Sequence, residues 1–352
     1  MKVLSTSLIC ATAAMLAACG GGGGGGGDVV GASNSPPAAQ AQDDLPPPLG
    51  GTLQATAAAP TYPSGSGELA AFNQLQKVRT GCGFGALNQN AKLDAASLAH
   101  VNYLLEDSSA NTLTVGHTET PSNAFFTGAR PQDRASAAGY GENVSEILSA
   151  KARTFLASDA GQAPGDAAFG LMAMQGLLNT VAHLSAAMSG ARSVGLADGT
   201  RRFDSTQNGF ALTTLQYRFG ALLGAQEGTQ LLGAGNVAHY PCAATQDAEY
   251  AFAPATEAPN PFPAITDTAA LVGPPIYLRA DAGALLKVDS FGMKTSSGTT
   301  VPVRTDVGAI QGHEFFMVPR DPLQSASVYT VNFKGSANGQ AFDRTFSFRT
   351  RN

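Results

Sequence analysis

The sequence predicts an α+β protein, helices first and strands after, on three observations. Apolar residues recur at helical spacing between Ser66 and Met188, period-two alternation takes over from Ser193, and past Pro275 only strand patterns remain. The chain has 352 residues, 43% of them apolar, and a formal net charge of −5 with no Lys/Arg cluster. That apolar content is ordinary for a globular protein. A mildly acidic chain without a basic patch is a poor partner for nucleic acid or anionic head groups.

The first segment reads as an export signal. Lys2 is followed by an apolar run from Val3 to Ala18 that is too short to span a bilayer, and then by Cys19. Leu16-Ala17-Ala18-Cys19 is similar to a bacterial lipobox, in which the cysteine thiol receives the lipid. Residues 1–18 are therefore expected to be a lipoprotein signal peptide and Cys19 the lipidation site. Gly20, rather than an aspartate, follows the cysteine, which points to the outer membrane of a two-membrane bacterium. Residues 19–66 are rich in Gly, Ala and Pro and too poor in large apolar groups to offset their chain entropy, so they read as a disordered tether. Cys10 leaves with the signal peptide. Cys82 and Cys242 remain as one pair in an exported chain, the setting for a disulfide.

Ser66 is placed to cap a first helix whose face is Leu69, Phe72, Leu75 and Val78. Asp94 to Glu106 reads as a second helix with Leu93, Ala96, Ala99 and Tyr103 on one side, and Pro131 opens a short third one that Gly139 closes. The longest helix is expected from Asp166 to Met188, with Leu177, Val181, Leu184 and Met188 as its apolar stripe. Ser193–Ala197 and Phe210–Phe219 read as strands that close a domain over 67–242. Residues 243–272 carry Pro254, Pro259, Pro261 and Pro263 and read as a linker. Over 273–352, Tyr329, Val331 and Phe333 alternate, a turn follows at Ser336–Gly339, and Phe342, Phe346 and Phe348 resume. That pattern predicts a small all-β sandwich of Ig-like character.

Three stretches carry the chemistry: Val115-Gly116-His117, Gly139-Tyr140-Gly141-Glu142-Asn143-Val144, and the long helix with His183. Only five histidines occur in the chain, so two of them beside a glutamate are informative. Two neutral imidazoles and a carboxylate fill three positions around Zn²⁺ and leave one for water. Glu119, two residues past His117, is a further carboxylate that an extended segment points the same way. A cleft in which these groups only hydrogen-bond one another stays equally open. His100 reads as structural, His239 and His313 as isolated, and Asp133 with Arg134 as helix-start residues. Neither a Gly-x-Ser-x-Gly elbow nor a Cys–His pair free for nucleophilic catalysis is present.

Residues 67–242 resemble the CAP superfamily of cysteine-rich secretory, antigen-five and pathogenesis-related proteins, in its bacterial branch. The resemblance is carried by Phe72-Asn73 with Arg79, Leu93 with Ala95-Ala96 and His100, and Val115-Gly116-His117. Pro131 with Asp133-Arg134, Ala138-Gly139-Tyr140, Gly141-Glu142-Asn143-Val144, His183 and Ser193-Val194-Gly195-Leu196 continue it in order. It implies an α-β-α sandwich with a cleft of two histidines and acidic residues able to hold a divalent cation, Zn²⁺ or Ca²⁺. His117, Glu142 and His183 match the family's cleft residues, while the place of its second glutamate is held by Thr180 and that of its usual tryptophan by Leu177.

The expected function is therefore an extracytoplasmic, lipid-anchored binding module for an unidentified ligand or envelope component; whether it is also an enzyme stays open, with the missing second glutamate favouring a non-enzyme. The alternatives are a metal-dependent envelope hydrolase, with His117 and His183 as ligands and Glu142 as general base, and a structural scaffold. Cys19→Ala should move the protein from the membrane to the soluble fraction, because the tether offers no other apolar anchor. A lipid adduct persisting on that variant would overturn the anchor assignment.

Overall fold

The computed structural model describes residues 52–109, 112–141, 143–307 and 311–352, all within one compact unit. Cys19 and Glu142, both expected to act, lie outside the described residues. The fold is α+β. In chain order it comprises α1 (Gly67–Gly81), β1 (Asn88–Gln89), α2 (Ala91–Glu106), α3 (Pro131–Ala137), β2 (Val144–Leu156), α4 (Asp166–Leu178), α5 (Val181–Ala187), β3 (Ser193–Gln207) and β4 (Phe210–Gly224). There follow β5 (Ala238–Tyr240), β6 (Ile276–Arg279), β7 (Leu286–Thr295), β8 (Val303–Arg304), β9 (Glu314–Pro319), β10 (Val328–Ala337) and β11 (Gln340–Arg349).

The first sheet runs β1-β3-β4-β2, and alternation along β4 assigns its two faces. Tyr217, Phe219, Ala221 and Leu223 join the core made by α1, α4 and α5, whereas Leu222 packs with Leu93, Ala96, Ala135 and Tyr140 of the α2–α3 side. Two glycines set the distances. A Cβ on Gly170 would lie 2.1 Å from the Gly67 carbonyl oxygen, and one on Gly195 would lie 2.1 Å from the Leu93 carbonyl carbon. Only bare backbone lets α4 cross α1 and β3 slide under α2. Ser66 caps α1 as expected, its hydroxyl accepting from the Leu69 N–H at 3.1 Å.

Three expectations need correcting. The helix predicted over 166–188 is two helices, α4 and α5, because Thr180 is extended (φ −127°, ψ 162°) and its hydroxyl turns back to the Leu177 carbonyl. Part of the expected tether is ordered: Gln54 bonds the carbonyls of Ala86 and Arg192, and the Tyr62 hydroxyl donates to Asp94 at 2.6 Å. The segment 243–272, read as a linker, packs instead of spanning. Phe252, Phe262 and Val272 are buried in the first core. Strand β2 was not foreseen, and β3 and β4 run longer than expected, joined by a tight turn at Asn208-Gly209 with both residues at positive φ.

The C-terminal strands form two sheets, β11-β10-β7 and β5-β6-β9-β8. The expected turn closes at Asn338-Gly339, where both residues have positive φ and Ala337 pairs with Gln340. Sheet β5-β6-β9-β8 is a wall between two cores. Ile276, Leu278 and Met317 point into the core shared with β10 and β11, while Tyr277, Phe316 and Val318 point into the core of α1, α4 and α5. That wall explains why all four residues of β6 are buried.

Cys82, at the end of α1, is bonded to Cys242 across 160 residues. Closing so long a loop is worth about 5 kcal/mol in the chain-entropy limit. Because β6 and β9 serve both cores, heating should give one cooperative transition where the sequence pattern promised two. Reduction of the disulfide should lower its midpoint by roughly 5–10 °C. Calorimetry resolving two independent transitions, or peptide mapping that finds both thiols free, would contradict this.

Candidate functional site

The site begins with a buried charge cluster under the loop that carries His117. Arg134 on α3 is 1% exposed and its Nη2 donates to both oxygens of Glu146 on β2, at 2.8 and 2.9 Å. Its Nη1 donates to the carbonyls of His117 (3.1 Å) and Gly128 (3.3 Å), and its Nε lies 3.6 Å from Glu119 Oε1. Glu119 accepts from the Thr127 and Gly128 N–H groups through its other oxygen. One guanidinium thus ties the His117 loop to β2 and α3.

His100, on α2, completes the cluster. It is fully buried, and Nδ1 donates to Glu119 Oε1 at 2.8 Å while Nε2 donates to the Gly116 carbonyl at 2.8 Å. The buried side chains of Glu119 and Glu146 are thus both met by partners within the cluster, Arg134 and His100, as burial of polar groups requires. Burial pushes the Glu146 carboxyl up, but the hydrogen bond from His117 and the charges of His100 and Arg134 outweigh it and hold it below the usual carboxylate range.

His117 stands at the edge of this cluster with its side chain 42% exposed, and Nδ1 donates to Glu146 Oε2 at 2.9 Å. Glu146, absent from the sequence expectations, is thus the group that orients His117. Glu119 does not join a cleft donor set, because its oxygens are taken by His100, Thr127 and Gly128. The signal for both glutamates was weak in sequence, since neither belongs to a recognised motif.

His183 lies on α5, and its placement is set from a distance. Glu257, in the Pro-rich segment, accepts from the N–H groups of Val181 (3.0 Å) and Ala182 (2.5 Å) at the start of α5. Arg79 donates to the carbonyls of Ala187 (2.6 Å) and Ser189 (2.9 Å) at its end, and Arg279 to Met188 at 3.0 Å. The His183 Nδ1 faces the Thr180 hydroxyl at 2.8 Å. Burial, and then the charge of His117, push the imidazole down to about 4, so it is neutral at ordinary pH. The same interaction places His117 and His183 within electrostatic reach of each other. Among the described residues no group of three or more His, Cys, Asp and Glu is arranged around a metal position.

The remaining histidines are elsewhere. His239, expected to be isolated, is buried and stacked on Phe346 with centroids 3.7 Å apart. A separate cavity of about 350 Å³ lies where α1 and α4 begin, lined by Glu68, Asp166 and Asp198. Burial and the neighbouring Glu68 push the Asp198 carboxyl up to about 7. Glu68 and Asp166 sit in the first turns of α1 and α4, where helix dipoles favour carboxylates.

Neither a family model nor a curated protein matches the chain. One similar solved structure is a DUF4426 family protein from Pseudomonas aeruginosa PAO1. It is 16% identical over 34% of this chain and 92% of that one, with a TM-score of 0.22, a value that carries no argument about fold or function.

The depressed His183 has a sign-defined consequence. Between about pH 6.5 and 4 the unfolded chain binds a proton that folded His183 does not, so stability is lost as pH falls through that window. The full displacement is worth about 3 kcal/mol. Denaturant titrations at pH 7 and pH 4.5 should show a smaller acid loss for His183→Gln than for the native chain. Equal losses would contradict the neutral, buried placement of His183.

Proposed function

We propose that this chain is a lipid-anchored, extracytoplasmic CAP-like module, with an α-β-α domain and an Ig-like β domain, whose cleft binds a divalent transition-metal ion. The observation that carries the reading is the matched pair of imidazoles. His117 directs Nδ1 to Glu146 and His183 directs Nδ1 to Thr180, so that in the neutral ring the Nε2 of each is the nitrogen left for a metal. A hydrogen bond on the ring nitrogen that faces away from an ion sets the tautomer that a metal-binding histidine needs. The donor chemistry favours Zn²⁺ over Ca²⁺, which takes oxygen ligands. His117 and His183 would hold the ion, with Glu142 the sequence-derived candidate for a third ligand, and a bound Zn²⁺ would supply a Lewis-acidic centre to an envelope ligand.

Binding is favoured over hydrolysis by the state of the described carboxylates. Glu119 and Glu146 both accept from cationic groups within the cluster, and neither is free to take a proton from water. A hydrolase would rest on Glu142 alone.

Added Zn²⁺ should raise stability by about 2.7 kcal/mol at a hundredfold excess over its dissociation constant. His117→Ala and His183→Ala should each abolish the gain, and His313→Ala should keep it. Isothermal titration of the full chain in detergent checks this directly. Undiminished Zn²⁺ binding in both cleft variants, or no binding by the native chain, would sink the metal reading.

A further inference from the structure

We propose that Glu257 is a positioning residue for His183: acting through Thr180, it holds the ring in its Nδ1–H form with the Nε2 lone pair presented to the cleft. The inference deepens the metal-binding reading and rests on it for its purpose, but not for its geometry.

The geometry starts from an inventory of protons. Glu257 is 5% exposed, and its two oxygens face the N–H groups of Val181 and Ala182, so it serves as an acceptor on both. Burial pushes its carboxyl up, while hydrogen bonds from the backbone of Val181, Ala182 and His183 and from the Thr180 hydroxyl oppose that shift. Thr180 has one hydroxyl proton and two acceptors for it, the Leu177 carbonyl at 2.9 Å and the Glu257 carboxylate. With its proton engaged by these oxygens, the Thr180 oxygen faces His183 Nδ1 at 2.8 Å as an acceptor, and we assign the ring proton to Nδ1. Glu257 Oε1, 3.7 Å from the same Nδ1, stabilises that proton further. His183 thereby gains the orientation that Glu146 gives His117.

The carboxylate arrives by an unusual route. It belongs to the Pro-rich segment, which is tethered at its start by the Cys82–Cys242 disulfide and held along its length by Phe252 and Phe262 in the core. The same segment reaches the neighbouring residue as well, because Asn179 Nδ2 donates to the Ala251 carbonyl at 2.7 Å. Asn179 and Thr180 are the two residues between α4 and α5. The break in the helix and the orientation of His183 are thus served by one strap.

The test is long-range ¹H–¹⁵N correlation of histidine rings in the full chain, labelled with ¹⁵N-histidine, in detergent at pH 7 and without metal. His183 should show protonated Nδ1 and bare Nε2. Thr180→Val, which removes the oxygen at nearly constant volume, should convert the ring to a tautomer mixture, and Thr180→Ser should restore the native pattern. Glu257→Gln, which keeps a carbonyl oxygen for the α5 N–H groups, should reduce the Nδ1–H population. Zn²⁺ affinity should fall about tenfold to a hundredfold in Thr180→Val and recover in Thr180→Ser. Native His183 protonated at Nε2, or a native tautomer retained by both folded Thr180→Val and Glu257→Gln, would overturn the proposal. A native chain with the expected tautomer and no Zn²⁺ binding would support the positioning role and defeat the metal reading, so the two failures are distinguishable.

Discussion

A helix of seven residues cannot hold itself, and the site depends on one that is held at both ends by charges from elsewhere. Glu257 meets the free N–H groups at the start of α5, where the helix dipole is positive. Arg79 and Arg279 meet the carbonyls at and just past its end, where it is negative. Arg79 is fully buried, and its four hydrogen bonds all go to backbone carbonyls, those of Phe84 and Gly85 included. Loss of either end would leave unpaired backbone groups and an uncompensated buried charge, the costliest outcome available in an interior. His183 inherits its position from that clamp.

The opposite side of the cleft is built by different means. The loop from Leu113 to Arg130 has no regular structure of its own, yet Glu119 turns it inward and Arg134 and His100 bind its backbone at His117, Gly128 and Gly116. A polar cluster does here what an apolar core does elsewhere. Its polar groups satisfy one another, and the Glu146 carboxylate is left with enough hydrogen-bonding capacity to orient a half-exposed histidine at its rim. The two imidazoles His117 and His183 are therefore held by unrelated means, one through a buried polar network and one through a helix clamp.

The C-terminal strands are more than an appendage to this arrangement. Arg279, which closes the end of α5, lies on β6, and Glu314 on β9 accepts from Ser185 of α5 at 2.7 Å and from the Tyr277 hydroxyl at 2.5 Å. The wall of β5, β6, β9 and β8 thus supplies polar contacts to the helix that bears His183 while burying apolar residues on both of its faces. A disulfide between the end of α1 and the residue after Pro241 fastens the same region. Helix α5 and the C-terminal strands are therefore joined by polar as well as apolar contacts.

Local chemistry alone determined much of this protein. The capping hydroxyl of Ser66, the Pro131 start of α3, the alternation along β10 and β11 and the Asn-Gly turn between them act within a few residues of themselves, and each is legible in the sequence. The disulfide was legible from compartment and parity. His117 and His183 stood out in the sequence because histidine is rare in the chain. Tertiary structure decided what local chemistry is blind to. The apolar stripe through Leu177, Val181 and Leu184 is continuous, and a helix through Thr180 satisfies it; only a carboxylate 77 residues away makes the break at Thr180 favourable, by replacing the backbone bonds that the break gives up. Likewise the oxygens of Glu119 are taken by the buried His100 ring, the Thr127 and Gly128 N–H groups and the neighbouring Arg134 guanidinium, all brought to it by the fold. Where a group's partner lies far along the chain, its role is settled by which charge is left to neutralise, and that is known only once the fold has closed.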